Sequence, residues 1–154
     1  MNIVSRGEVR TTSSEEIHEG SDKPTNHNDD ATLFPEVRDF RMKHKPNFIY
    51  LHININSIRH KFGPLHEILA NNYVDYLAVS ESKIDPSFPN GQFHVHGFTL
   101  HRQDNTSMSG GLMVYIRSDI PHRRLRNIEY NDNGIETLCC ELTFGKSKTV
   151  ITCI

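Results

Sequence analysis

The spacing of apolar residues divides the chain into a polar front and a patterned remainder. Between Thr11 and Asp30 a single large apolar residue, Ile17, stands among Ser, Thr, Asn, Asp, Glu, Gly and Pro. No helical or strand period runs through that stretch, and a segment with so little to bury cannot offset the entropy of ordering itself. Residues 1–46 are therefore expected to form a disordered or weakly ordered tail. Within it, residues 32–40 allow two readings: a short helical turn with Pro35 near its start, or a linker that packs weakly. Order is expected from Phe48. The run Phe48-Ile49-Tyr50-Leu51-His52-Ile53-Asn54-Ile55 is β-branched and aromatic and apolar on both faces, which predicts a strand covered on both sides. Alternation puts Ile49, Leu51, Ile53 and Ile55 on one face, and Tyr50, His52, Asn54 and Asn56 on the other.

The period then changes from two to that of a helix. Phe62, Leu65, Ile68 and Leu69 share a stripe, and Pro64 fits only a first turn, so a helix is expected from about residue 61 to 71–72. Residues 76–81 read as a second short buried strand. Strand, helix and strand in this order predict a right-handed crossover between parallel neighbours. The carboxyl ends of the two strands then share one rim, where open sheets bind ligands. Asn54 and Asn56 end the first strand and Glu81 ends the second.

Downstream, a polar loop over 82–96 carries Pro86, Pro89 and Gly91. Strands are expected over 98–102, 111–117, 122–128, 135–144 and 148–154. Asn133-Gly134 marks a hairpin and Gly145-Lys146-Ser147 another turn. The pattern predicts an antiparallel meander without internal repeat.

Composition modifies this picture modestly. Of 154 residues, 36% are apolar, and the mean hydropathy of -0.54 is lowered by the polar front. The formal charge of -2 lacks the basic excess of an overt nucleic-acid binder, though a local patch can hide in such a total. No apolar run reaches the ~20 residues of a membrane span, and the first residues lack the apolar segment of a secretory signal. Cys139, Cys140 and Cys153 make a poor disulfide framework and read as reduced, buried strand thiols in an intracellular protein.

Several motifs resemble one family in order and spacing. His52-Ile53-Asn54-Ile55-Asn56-Ser57-Ile58-Arg59 is similar to the opening motif of the endonuclease/exonuclease/phosphatase superfamily, which includes DNase I and apurinic/apyrimidinic endonucleases. Leu77-Ala78-Val79-Ser80-Glu81-Ser82-Lys83-Ile84 resembles its second motif, a strand ended by glutamate and a small residue. Ser109-Gly110-Gly111-Leu112-Met113-Val114-Tyr115-Ile116 resembles its next glycine-led strand. Asp85-Pro86-Ser87-Phe88-Pro89 and Phe93-His94-Val95-His96-Gly97-Phe98 are similar to the jockey-like branch of non-LTR retrotransposons. The resemblance covers residues 47–154.

The resemblance implies an α+β fold, the first half of a four-layer αββα sandwich. It implies Mg²⁺-assisted phosphodiester cleavage of DNA, with Glu81 as metal ligand and Asn54 orienting a water or the scissile phosphate. It implies nuclear action, a carboxy-terminal half of the domain and, in longer relatives, a reverse transcriptase as partners. The family's later Gly-Asp-x-Asn motif and Asp-His pair have no counterpart before Ile154, so the fragment is expected to be inactive alone. Alternatives are a fragment of a lipid or inositol phosphatase or a deadenylase of the same superfamily, or a non-catalytic nucleic-acid-binding remnant. Blander readings stand beside these. Asn54 and Asn56 are also turn formers, and a strand-end glutamate is commonly a solvated residue. Arg123, Arg124 and Arg126 could face phosphates or guard an edge strand. His94 and His96 lack the partners of a zinc site. Gly110-Gly111 reads as a close backbone approach or a bulge rather than a phosphate loop.

Overall fold

The computed structural model describes residues 2–5, 8–9, 34–132 and 134–154. In chain order these form β1 (Asn2–Ser5), β2 (Glu8–Val9), α1 (Pro35–Lys43), β3 (Ile49–Asn54), α2 (Phe62–Ala70), β4 (Tyr76–Ser80), β5 (Phe98–Gln103), β6 (Leu112–Arg117), β7 (His122–Arg124), β8 (Asn131–Asp132), β9 (Ile135–Glu136), β10 (Leu138–Phe144) and β11 (Ser147–Cys153). Single 3₁₀ turns lie at Asn90–Phe93 and Arg126–Ile128. No described helix is long and apolar enough to cross a membrane.

The crossover read from the sequence is present. β3 and β4 run parallel with Asn54 opposite Ser80, and α2 between them buries Leu65, Ile68 and Leu69. Of the two readings for residues 32–40, the helix is formed. Pro35 sits in its first turn with Glu36, while Arg41 and Lys43 occupy the last, the polarity that a helix dipole favours. A helix of nine residues is too short to stand unaided, and α1 is tied down instead. Val37 is buried, and Arg41 donates to the carbonyls of Tyr73 and Asn47 and to Asp75. Within the first 46 residues, β1 also pairs antiparallel with β3 and with β2. The disorder expected between 10 and 33 lies outside the described residues.

The expected meander is divided between sheets. β5 and β6 join the first sheet, whose order is β2-β1-β3-β4-β6-β5, while β7, β10 and β11 form a second in the order β11-β10-β7. The reason lies in β6, where Leu112 to Ile116 are all buried. A strand apolar on both faces needs cover on both sides, and a place beside β4 provides it. Leu77, Val79, Met113 and Tyr115 face a core with Val37 of α1, Leu65 and Ile68 of α2, and Phe93 and Val95 of the following loop. Tyr76, Ala78, Val114 and Ile116 face the opposite way, onto Leu138, Cys140, Leu142 and Cys153 of the second sheet. The result is a mixed α+β arrangement of helices, a six-stranded sheet and a three-stranded sheet in successive layers. The expected strand over 122–128 stops at Arg124, and that over 135–144 is broken at Thr137, whose backbone N–H bonds the Tyr130 carbonyl.

Candidate functional site

The site grows from the ends of β3 and β4. Beyond these strands the chain passes through left-handed backbone at residues other than glycine: Asn56 (φ 46°), Ser57 (φ 80°), Glu81 (φ 57°) and Lys83 (φ 52°). Such conformations cost on the order of 1–3 kcal/mol each and persist where the surroundings over-determine them. Here the surroundings are a backbone lattice. Ser57 N–H donates to the Glu81 carbonyl at 2.8 Å and Ile58 N–H to that of Ser82 at 3.0 Å. Ser82 and Lys83 N–H donate in turn to the carbonyls of Gly111 and Gly110, at 3.0 and 2.9 Å. Three segments distant in sequence are thereby locked edge to edge.

Above this lattice lies a cleft of about 420 Å³ whose lining includes Asn54, Glu81, Asn105, Gly110, Glu136 and Ile154. The structure thus brings Asn54 and Glu81 together. The Glu81 side chain is 40% exposed. Its Oε2 accepts from Gly110 N–H at 3.3 Å and lies 3.9 Å from Lys83 Nζ. Asn54 is exposed, and its Oδ1 accepts from Asn56 N–H at 3.2 Å. Asn56 turns aside, its Oδ1 accepting from Lys83 Nζ at 2.5 Å, so it shapes the loop and anchors the lysine. A larger concavity of about 620 Å³ runs along α2 between Phe34, Lys61 and Leu65. Asn54 lines this concavity as well, but among the described residues no carboxylate does.

Sequence reasoning missed Glu136 and Asn105. Glu136 Oε2 accepts from Gly111 N–H at 2.6 Å, and its other oxygen accepts from the Asn105 side-chain amide. The only sequence signal was a carboxylate after the Asn133-Gly134 hairpin, and nothing in the spacing tied it to a glycine 25 positions earlier. The reading of Gly110-Gly111 as a close approach is met. A Cβ on Gly110 would stand 2.5 Å from Glu136 Oε1, and one on Gly111 would overlap Ser82 Oγ.

The basic cluster separates. Arg124 and Glu129 form an ion pair with both side chains 7% exposed, and Arg124 also donates to the Arg102 carbonyl and to Gln103. Arg123 projects from the other face of β7 and pairs with Glu141 at 2.9 Å. Arg126 is exposed beyond the strand. Arg124 and Arg126 reach a second polar cleft with Arg102, but every guanidinium N–H of Arg102 is engaged, by Asp104, Asn90 and the carbonyls of Phe88 and Asp85. His94 and His96 are exposed on the loop before β5.

Among the described residues no three His, Cys, Asp or Glu side chains converge as a metal cage. Mg²⁺ does not require one, since it keeps most of its waters and binds through one or two carboxylates. The hard oxygens of Glu81 and Asn54, at the mouth of an open cleft, fit that ion. Compared with known proteins, the chain matches no family model and no curated protein.

Proposed function

We propose that residues 47–154 are the amino-terminal half of a Mg²⁺-dependent, phosphodiester-cleaving DNA endonuclease domain of the endonuclease/exonuclease/phosphatase type, similar to those of non-LTR retrotransposons. The observation that carries this reading is the meeting of Asn54 and Glu81 in one cleft at the carboxyl ends of neighbouring parallel strands. The layering of helices, sheet and sheet supports it as three of the four layers of an αββα sandwich. DNA as substrate, a carboxy-terminal half as partner and action in the nucleus belong to the same proposal.

In this reading Glu81 and Asn54 hold the metal. When bound, Mg²⁺ supplies Lewis-acid polarisation of a phosphate oxygen and stabilises charge on the leaving oxygen. The chain's own groups do the positioning. The Glu81 carboxylate, steadied by Gly110 N–H, brings its negative charge to a cleft that Glu136 also lines. The Asn54 amide adds a neutral acceptor that orients a water or a phosphate. Lys83, shared between Asn56 and Glu81, limits carboxylate repulsion. Among the described residues no Asp-His pair lines the cleft, and in this reading the group that activates the attacking water is supplied by the rest of the domain.

A Mg²⁺ titration of the chain followed by NMR tests the assignment. Saturable shifts are expected at Gly110 and Asn54, absent in Glu81→Gln. Shifts that persist in that variant, or none in the wild type, defeat the metal assignment. Supercoiled plasmid with Mg²⁺ is expected to stay intact, and nicking that disappears in Glu81→Ala would show the half domain to be competent.

A further inference from the structure

Gly110 and Gly111 present consecutive N–H groups to two different carboxylates. The first points to Glu81 at 3.3 Å and the second to Glu136 at 2.6 Å. Both glycines have positive φ, 66° and 86°, a backbone region where glycine carries no steric penalty but also no intrinsic preference. Glycine therefore supplies the freedom to make this turn and nothing that holds it. The holding comes from outside. Glu136 is half-buried, and it clamps the turn from both ends: one oxygen takes Gly111 N–H, and the other takes the side chain of Asn105, in the loop that leads into the glycines.

From this arrangement we infer that Glu136 is a positioning residue, which fixes the Gly110-Gly111 turn so that Gly110 N–H orients Glu81 for a divalent cation. The inference rests on the metal site proposed above. Both carboxylates line one cleft, yet their roles differ. Glu81 has one backbone donor and an exposed remainder, which leaves it lone pairs for a ligand. Glu136 has a donor on each oxygen, the Asn105 amide on one and Gly111 N–H on the other, and both donors belong to the turn. Outer partners of this kind commonly govern metal affinity by 10–100-fold.

The chemistry of the clamp sets the test. Glutamine at position 136 keeps the geometry: its carbonyl oxygen can accept from Gly111 N–H, and its amide can donate to Asn105 once that side chain flips. Alanine removes both bonds. Binding of Mn²⁺, used as the probe and measured by the EPR signal of the free ion, is compared for the full wild-type chain, Glu136→Gln, Glu136→Ala and Glu81→Gln. The same samples report the Gly110 amide proton by NMR, with the Met113 and Leu142 amides as controls for folding.

A positioning role predicts that Glu136→Gln binds Mn²⁺ within about threefold of wild type, whereas Glu136→Ala loses about tenfold or more. It also predicts that Glu81→Gln moves the Gly110 amide proton in the wild-type and Glu136→Gln backgrounds, but not in Glu136→Ala. Equal binding by Glu136→Ala and wild type overturns the inference. So does an equal loss in the Gln and Ala variants, which would make Glu136 a ligand through its charge. Absence of Mn²⁺ binding by the wild-type chain refutes the metal site itself. In that case the Gly110 amide still decides whether Glu136 orients Glu81: coupling retained in Glu136→Ala refutes it.

Discussion

Gly111 and Gly134 carry similar dihedral requirements, with φ of 86° and 79°, but different neighbourhoods. A Cβ on Gly134 meets nothing within 4 Å, while one on Gly111 runs into Ser82 Oγ, a hydroxyl that is itself buried without a hydrogen-bond partner. Alanine at 134 is expected to cost about 1 kcal/mol, the left-handed penalty alone. Alanine at 111 should cost that plus the displacement of Ser82, about 2–3 kcal/mol in all. Urea unfolding of the two variants measures the difference, and equal losses would show that the approach of the 80s segment to Gly111 is loose. A second residue-scale effect concerns acid. Burial alone would raise the carboxyl of Glu129, but hydrogen bonds from Arg124 and from Cys139 N–H outweigh it and hold the group below its ordinary value of 4.5. Because the folded value lies below the unfolded one, the stabilisation is complete above the ordinary carboxylate range and is lost as pH falls through the depressed value. Glu129→Gln should therefore unfold at lower urea than wild type at pH 7, with the gap closing below about pH 4. A gap independent of pH would mean that packing, not ionisation, makes the contribution.

At the scale of elements, the pieces that were legible in the sequence are those whose cause is local. The two-faced apolar run of β3, the stripe of α2 with Pro64 in its first turn, and the short run of β4 each state their own structure. Parallel pairing follows from the length of the connection, and with it the meeting of Asn54 and Glu81. What stayed hidden depends on partners far along the chain. Glu136 reads as one more polar residue until β9 is set beside the glycine turn, and Arg124 reads as part of a basic face until Glu129 is seen beneath it. Asp75 is the strongest such case. It stands between Val74 and Tyr76 and is 3% exposed. It receives Arg41 of α1 at 2.6 Å, Arg117 at the end of β6 at 2.6 Å, and Ile49 N–H of β3 at 2.7 Å. One carboxylate thus joins a helix and two strands. Asp75→Ala leaves a guanidinium buried without its partner and is expected to cost about 3–5 kcal/mol. Asp75→Asn keeps an acceptor for Ile49 and should cost less. Hydrogen exchange resolves the local effect: the amides of α1 should lose protection before those of β4 in the Asn variant. Uniform loss across both would show that α1 has no separate dependence on this residue.

For the whole molecule, the question is whether the layers on either side of the six-stranded sheet unfold as one unit, and the cysteines report on it. Cys140 and Cys153 lie in the layer between the sheets, where burial pushes their thiols up to about 12 and about 11. Cys139, on the opposite face of β10, is covered as well and contacts Thr152 at 3.4 Å. Only a thiolate reacts readily with iodoacetamide; Cys140 and Cys153 lack both the ionisation and the access, and burial denies the reagent access to Cys139. Labelling of the native chain at pH 8 should then proceed through unfolding alone. β10 carries two of these residues and pairs with β11, which carries the third, along seven registered positions. If the sandwich opens cooperatively, all three cysteines label at one rate, and that rate rises with urea along the slope of global unfolding. β11 is an edge strand, however, with Val150 half exposed. Should it peel away independently, Cys153 would label first and with a shallow urea dependence while Cys140 waited for the rest. Mass spectrometry of peptides taken during labelling separates the two outcomes. The cooperative one is expected, because Cys153 and Leu138 face each other across the pair and pack into the same layer as Val114 and Ile116 of the central sheet, so withdrawing β11 uncovers the core that holds both sheets together.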